Sequence, residues 1–201
     1  MNYCKAEYTP FTVWLTGLPS SGKSTIASLL HNHFKDENVA SAILDGDELR
    51  KGLNKDLDLS VAGRKENIRR SVEVCKLMMS AGLVVIAAFI SPFEEDRDWA
   101  RHYLGKERFF LIYLDCPLEV CQTRDVKGLY QKAKEGIIQN LTGLDAPYEI
   151  PFDPDLKLET HTTSPMACLE TTLNFIGVFL KKKGNYHAQN LQLQNNGFKR
   201  K

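Results

Sequence analysis

The sequence lacks the features that mark secreted, membrane-spanning or nucleic-acid-binding proteins. Its five cysteines form no Cys-x-x-Cys pair, so we expect reduced thiols rather than a disulfide framework. The longest apolar run, Leu83 to Ile90, is far shorter than the roughly 20 residues that span a bilayer. With a formal net charge of +1, the chain has no basic field to collect nucleic acid or an anionic membrane. We therefore predict small-molecule partners, and neither nucleic acid nor a membrane.

The two ends of the chain carry no pattern of a packed element. Residues 1–7 contain no apolar stretch typical of a signal peptide, so we expect a cytoplasmic protein. Residues 184–201 are rich in Asn and Gln and end in Lys-Arg-Lys, a composition that predicts a disordered polar tail. The remaining residues, 1–183, have the size of a single domain.

Within that domain, short apolar runs alternate with amphipathic segments. Such alternation predicts an α/β fold with a mainly parallel sheet between two helical layers. The predicted strands are Thr12 to Leu18, Val39 to Leu44, Leu83 to Ile90, Phe109 to Leu114 and Leu156 to Leu158. The predicted helices are Lys23 to Phe34, Arg64 to Met79, Glu94 to Tyr103, Pro117 to Arg124 and Ser164 to Phe179. Residues 125–152 follow no single period, and we interpret about 125–150 as a mobile, partly helical lid.

A glycine-rich motif carries the clearest chemical signal. The segment Gly17 to Ser24 fits G-x-x-x-x-G-K-[ST], and it lies between an apolar strand and an amphipathic helix, as a P-loop requires. Gly17 and Gly22 permit backbone conformations that bring amides close to phosphate oxygens. Lys23 would reach the β- and γ-phosphates of ATP, and Ser24 would ligate Mg²⁺. The motif predicts a P-loop NTPase fold that binds ATP.

Two carboxylates follow the second predicted strand. Asp45 and Asp47 flank Gly46 at the carboxyl end of this strand, where parallel sheets bind their ligands. One carboxylate can hold magnesium, while the other accepts the proton of an attacking hydroxyl. Asp and Gly also form ordinary solvated turns, but a P-loop on the neighbouring strand favours the catalytic interpretation. We therefore predict that Lys23, Asp45 and Asp47 are catalytic.

Further polar residues suit an anionic substrate. Arg64 and Asn67 are three residues apart near the start of a helix and so share one face, and Arg50 precedes them. Ser91 ends the most buried strand, and Lys127 can move with the lid to bring charge to a transferring phosphoryl group. The alternatives are solvated surface cations and an ordinary strand end.

Together these segments resemble the adenylyl-sulfate kinases of sulfate activation. The resemblance runs from about Thr12 to Pro151 and includes GLPSSGKST, LDGDELR, GLNKDL, RKENIRR, AFISP, RDVKGLY and TGLDAPYE. That family makes 3′-phosphoadenylyl sulfate from adenylyl sulfate and MgATP. The resemblance implies ATP and Mg²⁺ as cofactors and adenylyl sulfate as the substrate, and it leaves a homodimer open.

The resemblance also implies a role for each matching residue. Asp47 would be the base that contacts the substrate hydroxyl, with Ser24 and Asp45 at magnesium. Ser91 aligns with a serine described as a phosphoenzyme residue in some members, so the resemblance adds it to the predicted catalytic residues, although direct in-line transfer needs no covalent intermediate. ATP would contact Gly17, Leu18, Pro19, Ser20, Ser21, Gly22, Lys23, Ser24 and Thr25. The acceptor would contact Asp47, Arg50, Leu59, Arg64, Asn67, Ile90, Ser91, Lys127 and Leu141.

Two positions depart from the family pattern. Leu59 and Leu141 stand where the family usually has phenylalanines that sandwich the adenine of adenylyl sulfate. A stacking aromatic is worth about 1–3 kcal/mol, so the two leucines predict a weaker hold on the base. A kinase of the same fold with a different acceptor is therefore an alternative.

Rivals from other functional classes fit the motifs less well. A non-catalytic nucleotide-binding subunit would not need the intact Lys23, Ser24, Asp45 and Asp47. A GTPase is disfavoured because the segment 54–57, Asn-Lys-Asp-Leu, lacks the aspartate that a guanine-reading N-K-x-D has in fourth place. A sulfotransferase would need no P-loop Lys-Ser pair for a γ-phosphate.

Overall fold

The computed structural model describes residues 9–182, so the predicted polar tail lies outside the described residues, and the domain limits of 1–183 remain a prediction. The strands are β1 (Thr12–Thr16), β2 (Ser41–Asp45), β3 (Val84–Ala88), β4 (Phe109–Asp115) and β5 (Leu156–Glu159). The helices are α1 (Lys23–Asp36), α2 (Gly46–Lys51), α3 (Val61–Ser80), α4 (Glu94–Leu104), α5 (Leu118–Arg124), α6 (Leu129–Lys134) and α7 (Pro165–Lys182). Between residues 9 and 182, no helix has the length and apolar character needed to cross a membrane.

The five strands form one parallel sheet in the order β2-β3-β1-β4-β5. The central strand β1 is buried along its whole length, and its Trp14 pairs with Ala87 on one side and Leu111 on the other. Parallel strands need crossovers, and helices fill them on both faces of the sheet. The predicted α/β fold with a three-layer arrangement is therefore confirmed.

The alternation of side chains along β1 divides the core into two halves. Val13 and Leu15 pack in a cluster with α1 and α7, whereas Trp14 packs in a second cluster with α3 and α4. Trp14 is fully buried and stacks on Phe89, with 5.0 Å between ring centroids. Truncating Trp14 to alanine would cost about 3–5 kcal/mol of folding stability, because it would leave a cavity between the sheet and helices α3 and α4.

Helix starts differ from the predictions in ways that shape the site. Helix α2 begins directly after β2, where no helix was predicted, because the Asp45 side chain caps it by accepting from the Asp47 N–H at 2.9 Å. Helix α3 begins at Val61 rather than Arg64, because the Ser60 hydroxyl accepts from the Gly63 N–H at 3.1 Å. Arg64 and Asn67 therefore lie in the first two turns of α3.

The predicted lid region is partly helical, as expected. It contains α6 and an isolated bridge between Thr142 and Ala146. A small apolar cluster of Cys116, Cys121, Tyr130 and Leu141 lies beneath it. The Tyr130 hydroxyl donates to the carbonyl of Pro19 at 3.1 Å, so α6 is attached to the P-loop. The mobility of this segment remains a prediction.

Candidate active site

A cleft of about 710 Å³ lies where the carboxyl ends of β1, β2 and β3 meet. This is the edge at which open parallel sheets bind ligands. The structure brings most of the predicted site residues to its walls: Pro19, Ser20, Gly22, Lys23, Ser24, Thr25, Asp45, Asp47, Arg50, Arg64, Asn67, Ile90, Ser91 and Lys127. Gly17, Leu18 and Ser21 build the loop beneath the wall instead, and Ser21 is fully buried.

The backbone of the P-loop is held in conformations that need glycine. Gly17 has a φ of 152°, and a Cβ atom there would lie 2.7 Å from the carbonyl oxygen of Leu114. Gly22 has a φ of 101° and immediately precedes α1, whose first residues line the cleft. A helix N-terminus with free N–H groups favours negative charge, so this end of the cleft suits phosphate.

Lys23 is folded against its own loop. Its Nζ donates to the carbonyl oxygens of Gly17 at 2.9 Å and Leu18 at 2.7 Å. Burial lowers the pKa of the Lys23 ammonium to about 8, and the nearby Asp47 carboxylate opposes this shift only in part. A phosphate group arriving at this position would supply the anionic partner that the ammonium lacks.

Four polar side chains meet next to the P-loop. The Ser24 hydroxyl donates to Asp45 at 2.7 Å, and Asp47 forms an ion pair with Lys127 from the lid. Ser24 and Asp45 thus present two neighbouring oxygens, the ligand type that Mg²⁺ prefers, with space for waters and phosphate oxygens. The donor set fits magnesium, and the second carboxylate, Asp47, remains available to a hydroxyl group in the cleft.

Two guanidinium groups share another part of the cleft. Arg50 donates to the carbonyls of Leu57 at 3.0 Å and Asp58 at 3.2 Å, while Arg64 donates to those of Leu59 at 3.1 Å and Asn140 at 2.5 Å. Burial lowers the pKa of both groups, and the charge of Arg50 adds to the shift at Arg64.

Across residues 9–182, neither of these two arginines forms a salt bridge with a carboxylate. Arg64 is buried and Arg50 is partly buried, and cations that are withdrawn from water are normally paired, because burying a charge without a partner is costly. The missing partner, together with the position of both groups on the cleft wall, indicates an anionic ligand at this place.

Ser91 lies on the cleft wall, but its hydroxyl is already engaged. The residue is 2% exposed, its Oγ accepts from Trp14 Nε1 at 3.1 Å, and it donates to Thr16 Oγ1 at 2.9 Å. Thr16 in turn donates to the carbonyl of Ile90 at 2.7 Å. A hydroxyl that both donates and accepts within the core is poorly placed as a nucleophile. This geometry favours a positioning role for Ser91 over the catalytic role predicted from the sequence.

Leu59 and Leu141 do not lie on the cleft wall, contrary to the expectation that they flank the substrate base. Leu141 is 4% exposed and packs in the cluster beneath the lid with Cys116, Cys121 and Tyr130. Leu59 contributes its backbone carbonyl, which orients Arg64. The apolar side chain of Leu141 is more favourably buried in that cluster than exposed in the cleft.

One wall of the cleft is formed by the loop after β5, whose residues were not predicted from the sequence. Thr160 begins this loop; its hydroxyl donates to the carbonyl of Ser21 at 2.8 Å, and its own carbonyl accepts from Arg124 at 2.6 Å. The strand order explains why this loop lies beside the P-loop. Strand β5 pairs with β4, and β4 pairs with β1, the strand that leads into the P-loop. The signal available in the sequence was the polar run after a short strand. The loop residues on the wall are Thr160, His161, Thr162, Thr163, Ser164 and Pro165.

Comparisons with known proteins agree with this site. The profile of the adenylylsulphate kinase family matches residues 9–159. An adenylyl-sulfate kinase from Clostridium kluyveri is 47% identical over 164 residues, covering 82% of each chain. A probable adenylyl-sulfate kinase from Bacillus subtilis is 49% identical over 152 residues, covering 76% of each chain.

The fold agrees as well. The structure of the Mycobacterium tuberculosis APS kinase CysC in complex with AMPPNP and APS superposes with a TM-score of 0.81 at 40% identity. The superposition covers 85% of this chain and 99% of that one. With a family match over most of its length, relatives near half identity and the same arrangement of sheet and P-loop, this chain belongs to the adenylylsulphate kinase family.

Proposed function

We propose that this protein transfers the γ-phosphate of ATP to the 3′-hydroxyl of adenylyl sulfate, which yields ADP and 3′-phosphoadenylyl sulfate. One observation carries the proposal: the same cleft holds both a complete P-loop and two guanidinium groups that have no carboxylate partner among residues 9–182. A P-loop alone serves many acceptors, whereas a second cation site in the same cleft requires an acceptor with anionic groups of its own.

The phosphate groups of ATP bind at the loop from Gly17 to Thr25. Backbone N–H groups at the start of α1 contact the phosphate oxygens, and Lys23 exchanges its two carbonyl contacts for the β- and γ-phosphates. Ser24 and Asp45 would hold Mg²⁺, which would offset the negative charge of the phosphate groups.

Asp47 acts on the acceptor. Its carboxylate accepts the proton of the 3′-hydroxyl as that oxygen bonds to the γ-phosphorus and the bond to the β-phosphate oxygen breaks. Lys127 pairs with Asp47 before the acceptor arrives and then supplies positive charge to the transferring group. Because Lys127 belongs to the lid, closure of the lid over both substrates would exclude water at the same time.

Arg50, Arg64 and Asn67 hold the phosphosulfate end of the acceptor. Both arginines are oriented by backbone carbonyls, so their remaining N–H groups are pre-positioned for an anion. Ile90 and Ser91 complete this wall, with the Ile90 carbonyl held by Thr16. Contact of Leu59 and Leu141 with the base would require a rearrangement of the lid.

A coupled assay of ADP release across a panel of acceptors tests the proposal. The panel contains adenylyl sulfate, AMP, gluconate and shikimate, with mass spectrometry to locate the new phosphate. We expect turnover with adenylyl sulfate and 3′-phosphorylation of its ribose. Preference for another acceptor would establish the same-fold alternative, and the absence of turnover with all four would favour a non-catalytic nucleotide-binding subunit.

The proposal extends to the conditions of the reaction. We expect chelation of divalent cations to abolish turnover and Mg²⁺ to restore it, measured with the same coupled assay. A role in sulfate assimilation follows from the proposed reaction. The cytoplasmic location and the homodimer remain predictions, and sedimentation of the purified protein tests the latter.

A further inference from the structure

Asn54 is a fully buried polar residue beside the cleft, and the proposed reaction gives its side chain no role. The turn after α2 fixes its backbone: its N–H donates to the carbonyl of Leu49 at 2.8 Å, and its carbonyl accepts from the N–H of Leu57 at 3.1 Å. The side chain therefore projects from a rigid point.

The Asn54 side chain contacts Asn67, which lies on the cleft wall. Asn54 Nδ2 donates to Asn67 Oδ1 at 2.9 Å. A side-chain amide has one acceptor end and one donor end, so a contact that occupies the acceptor end determines which end faces the other way. The bond from Asn54 leaves the two N–H donors of Asn67 for the cleft.

The direction of this amide matters because an anion is recognised by donors. Had the Asn67 amide the opposite orientation, it would present an oxygen lone pair to the phosphosulfate group beside Arg50 and Arg64. The segment that Asn54 begins also orients both arginines, through the carbonyls of residues 57–59. One short turn therefore directs all three groups of the anion site.

The packing of Asn54 is not what a purely structural residue would require. Its Oδ1 is buried and has no hydrogen-bond partner within the described residues. Buried polar atoms without partners are rare, because desolvation is then uncompensated. An apolar side chain of the same size would fill this space without that penalty, so the amide is retained for its donor.

We infer that Asn54 is a positioning residue that sets the orientation of the Asn67 amide and thereby the affinity for the anionic acceptor. The inference rests on the proposed function, since the acceptor is taken to be adenylyl sulfate. Asn54 acts through Asn67 and touches neither substrate itself.

Two substitutions at this position distinguish the inference from a packing role. In Asn54→Asp the side chain keeps its shape but offers only acceptors to Asn67, so the Asn67 amide must reverse. In Asn54→Ala the amide is merely released. We expect KM for adenylyl sulfate to rise at least about tenfold in the Asp variant and about threefold in the Ala variant. In both, kcat and KM for ATP should stay within about twofold of wild type.

A packing role predicts the reverse order, because alanine leaves a cavity and aspartate does not. An Ala variant that is as impaired as the Asp variant, or a parallel rise of KM for ATP, would therefore overturn the inference. Asn38→Asp is the matched control: the same substitution at an exposed position should change neither KM.

A double-mutant cycle covers the case in which the buried aspartate prevents folding. If Asn54 acts only through Asn67, adding Asn54→Ala to Asn67→Ala should not raise KM for adenylyl sulfate further. Additive effects would overturn the inference. Wild type that turns over none of the adenylyl sulfate would instead overturn the proposed function and this inference with it, so the two failures are distinguishable.

Discussion

The ATP end and the acceptor end of the cleft are built in different ways. The ATP end comes from one continuous segment, Gly17 to Thr25, and its donors are mainly backbone N–H groups at the start of α1. The acceptor end is assembled from side chains of α2, α3, the end of β3 and the lid. The ion pair between Asp47 and Lys127, for example, joins residues that are 80 positions apart in the sequence.

Because of this difference, we expect substitutions to affect phosphate transfer and acceptor affinity in different ways. Backbone donors are present whatever the side chains are, provided that glycine allows the loop to form, as Gly17 does. Side-chain donors depend on each residue and on the contacts that orient it. We therefore expect substitutions at the ATP end to abolish transfer altogether and those at the acceptor end to change affinity for the acceptor.

The strongest test of the ATP end is Lys23→Ala. We expect kcat to fall by at least about 10³-fold, because the charge next to the transferring phosphoryl group is lost. The fold should persist, since Lys23 contacts only carbonyls of its own loop. Coupled kinetics and thermal unfolding measure the two effects, with the exposed Lys35→Ala on the same helix as a control. Turnover within tenfold of wild type would contradict the assignment.

Asp47→Asn tests the point where the two ends meet. We expect kcat to fall by about 10²–10⁴-fold, because an amide has the shape of the carboxylate but cannot accept the proton. The loss of the exposed ion pair with Lys127 should itself contribute at most about 1 kcal/mol. Equilibrium binding of ATP should change little, and Glu48→Gln serves as the neighbouring control. Weakened ATP binding with unchanged kcat would assign Asp47 to binding alone.

Arg64→Lys tests the acceptor end. We expect KM for adenylyl sulfate to rise by about 10–100-fold, since lysine keeps the charge but loses the planar fork held by Leu59 and Asn140. KM for ATP should not change. Arg69→Lys on the exposed side of α3 is the matched control. If KM for ATP rose equally, the separation of the two ends would be wrong.

The smallest effects are expected when Leu59 and Leu141 are replaced by phenylalanine, and they should differ between the two positions. Leu59→Phe adds an aromatic ring at a partly exposed position beside the cleft. If the rearrangement that closes the lid brings this ring onto the base, KM for adenylyl sulfate should fall severalfold with kcat unchanged. Leu141→Phe should instead destabilise the fold by about 1–3 kcal/mol, because it overpacks the cluster beneath the lid. Thermal unfolding and kinetics measure both. Tighter binding by the Leu141 variant without loss of stability would show that its side chain reaches the cleft.

The sheet and its order of elements could be predicted because each strand and helix has its own periodicity. The helix α2 and the bounds of α6 within the lid could not, since each helix has only six residues and depends on neighbours for its position. The start of α3 was predicted three residues late because Ser60 was not recognised as its cap. The burial of Leu141 could not be predicted either, because packing in a small separate cluster depends on contacts that no local pattern contains.

The sequence by itself determined the chemistry of the ATP end, because a P-loop is a local structure whose glycines, lysine and serine are contiguous. The family resemblance predicted that Arg50, Arg64 and Asn67 contact the acceptor, and all three lie on the cleft wall. Only the tertiary structure decided how these donors are oriented, through the carbonyls of residues 57–59 and the amide of Asn54. Sequence periodicity specifies which face of a helix is buried. Hydrogen bonds between distant segments, which form only on folding, specify the direction of each polar group.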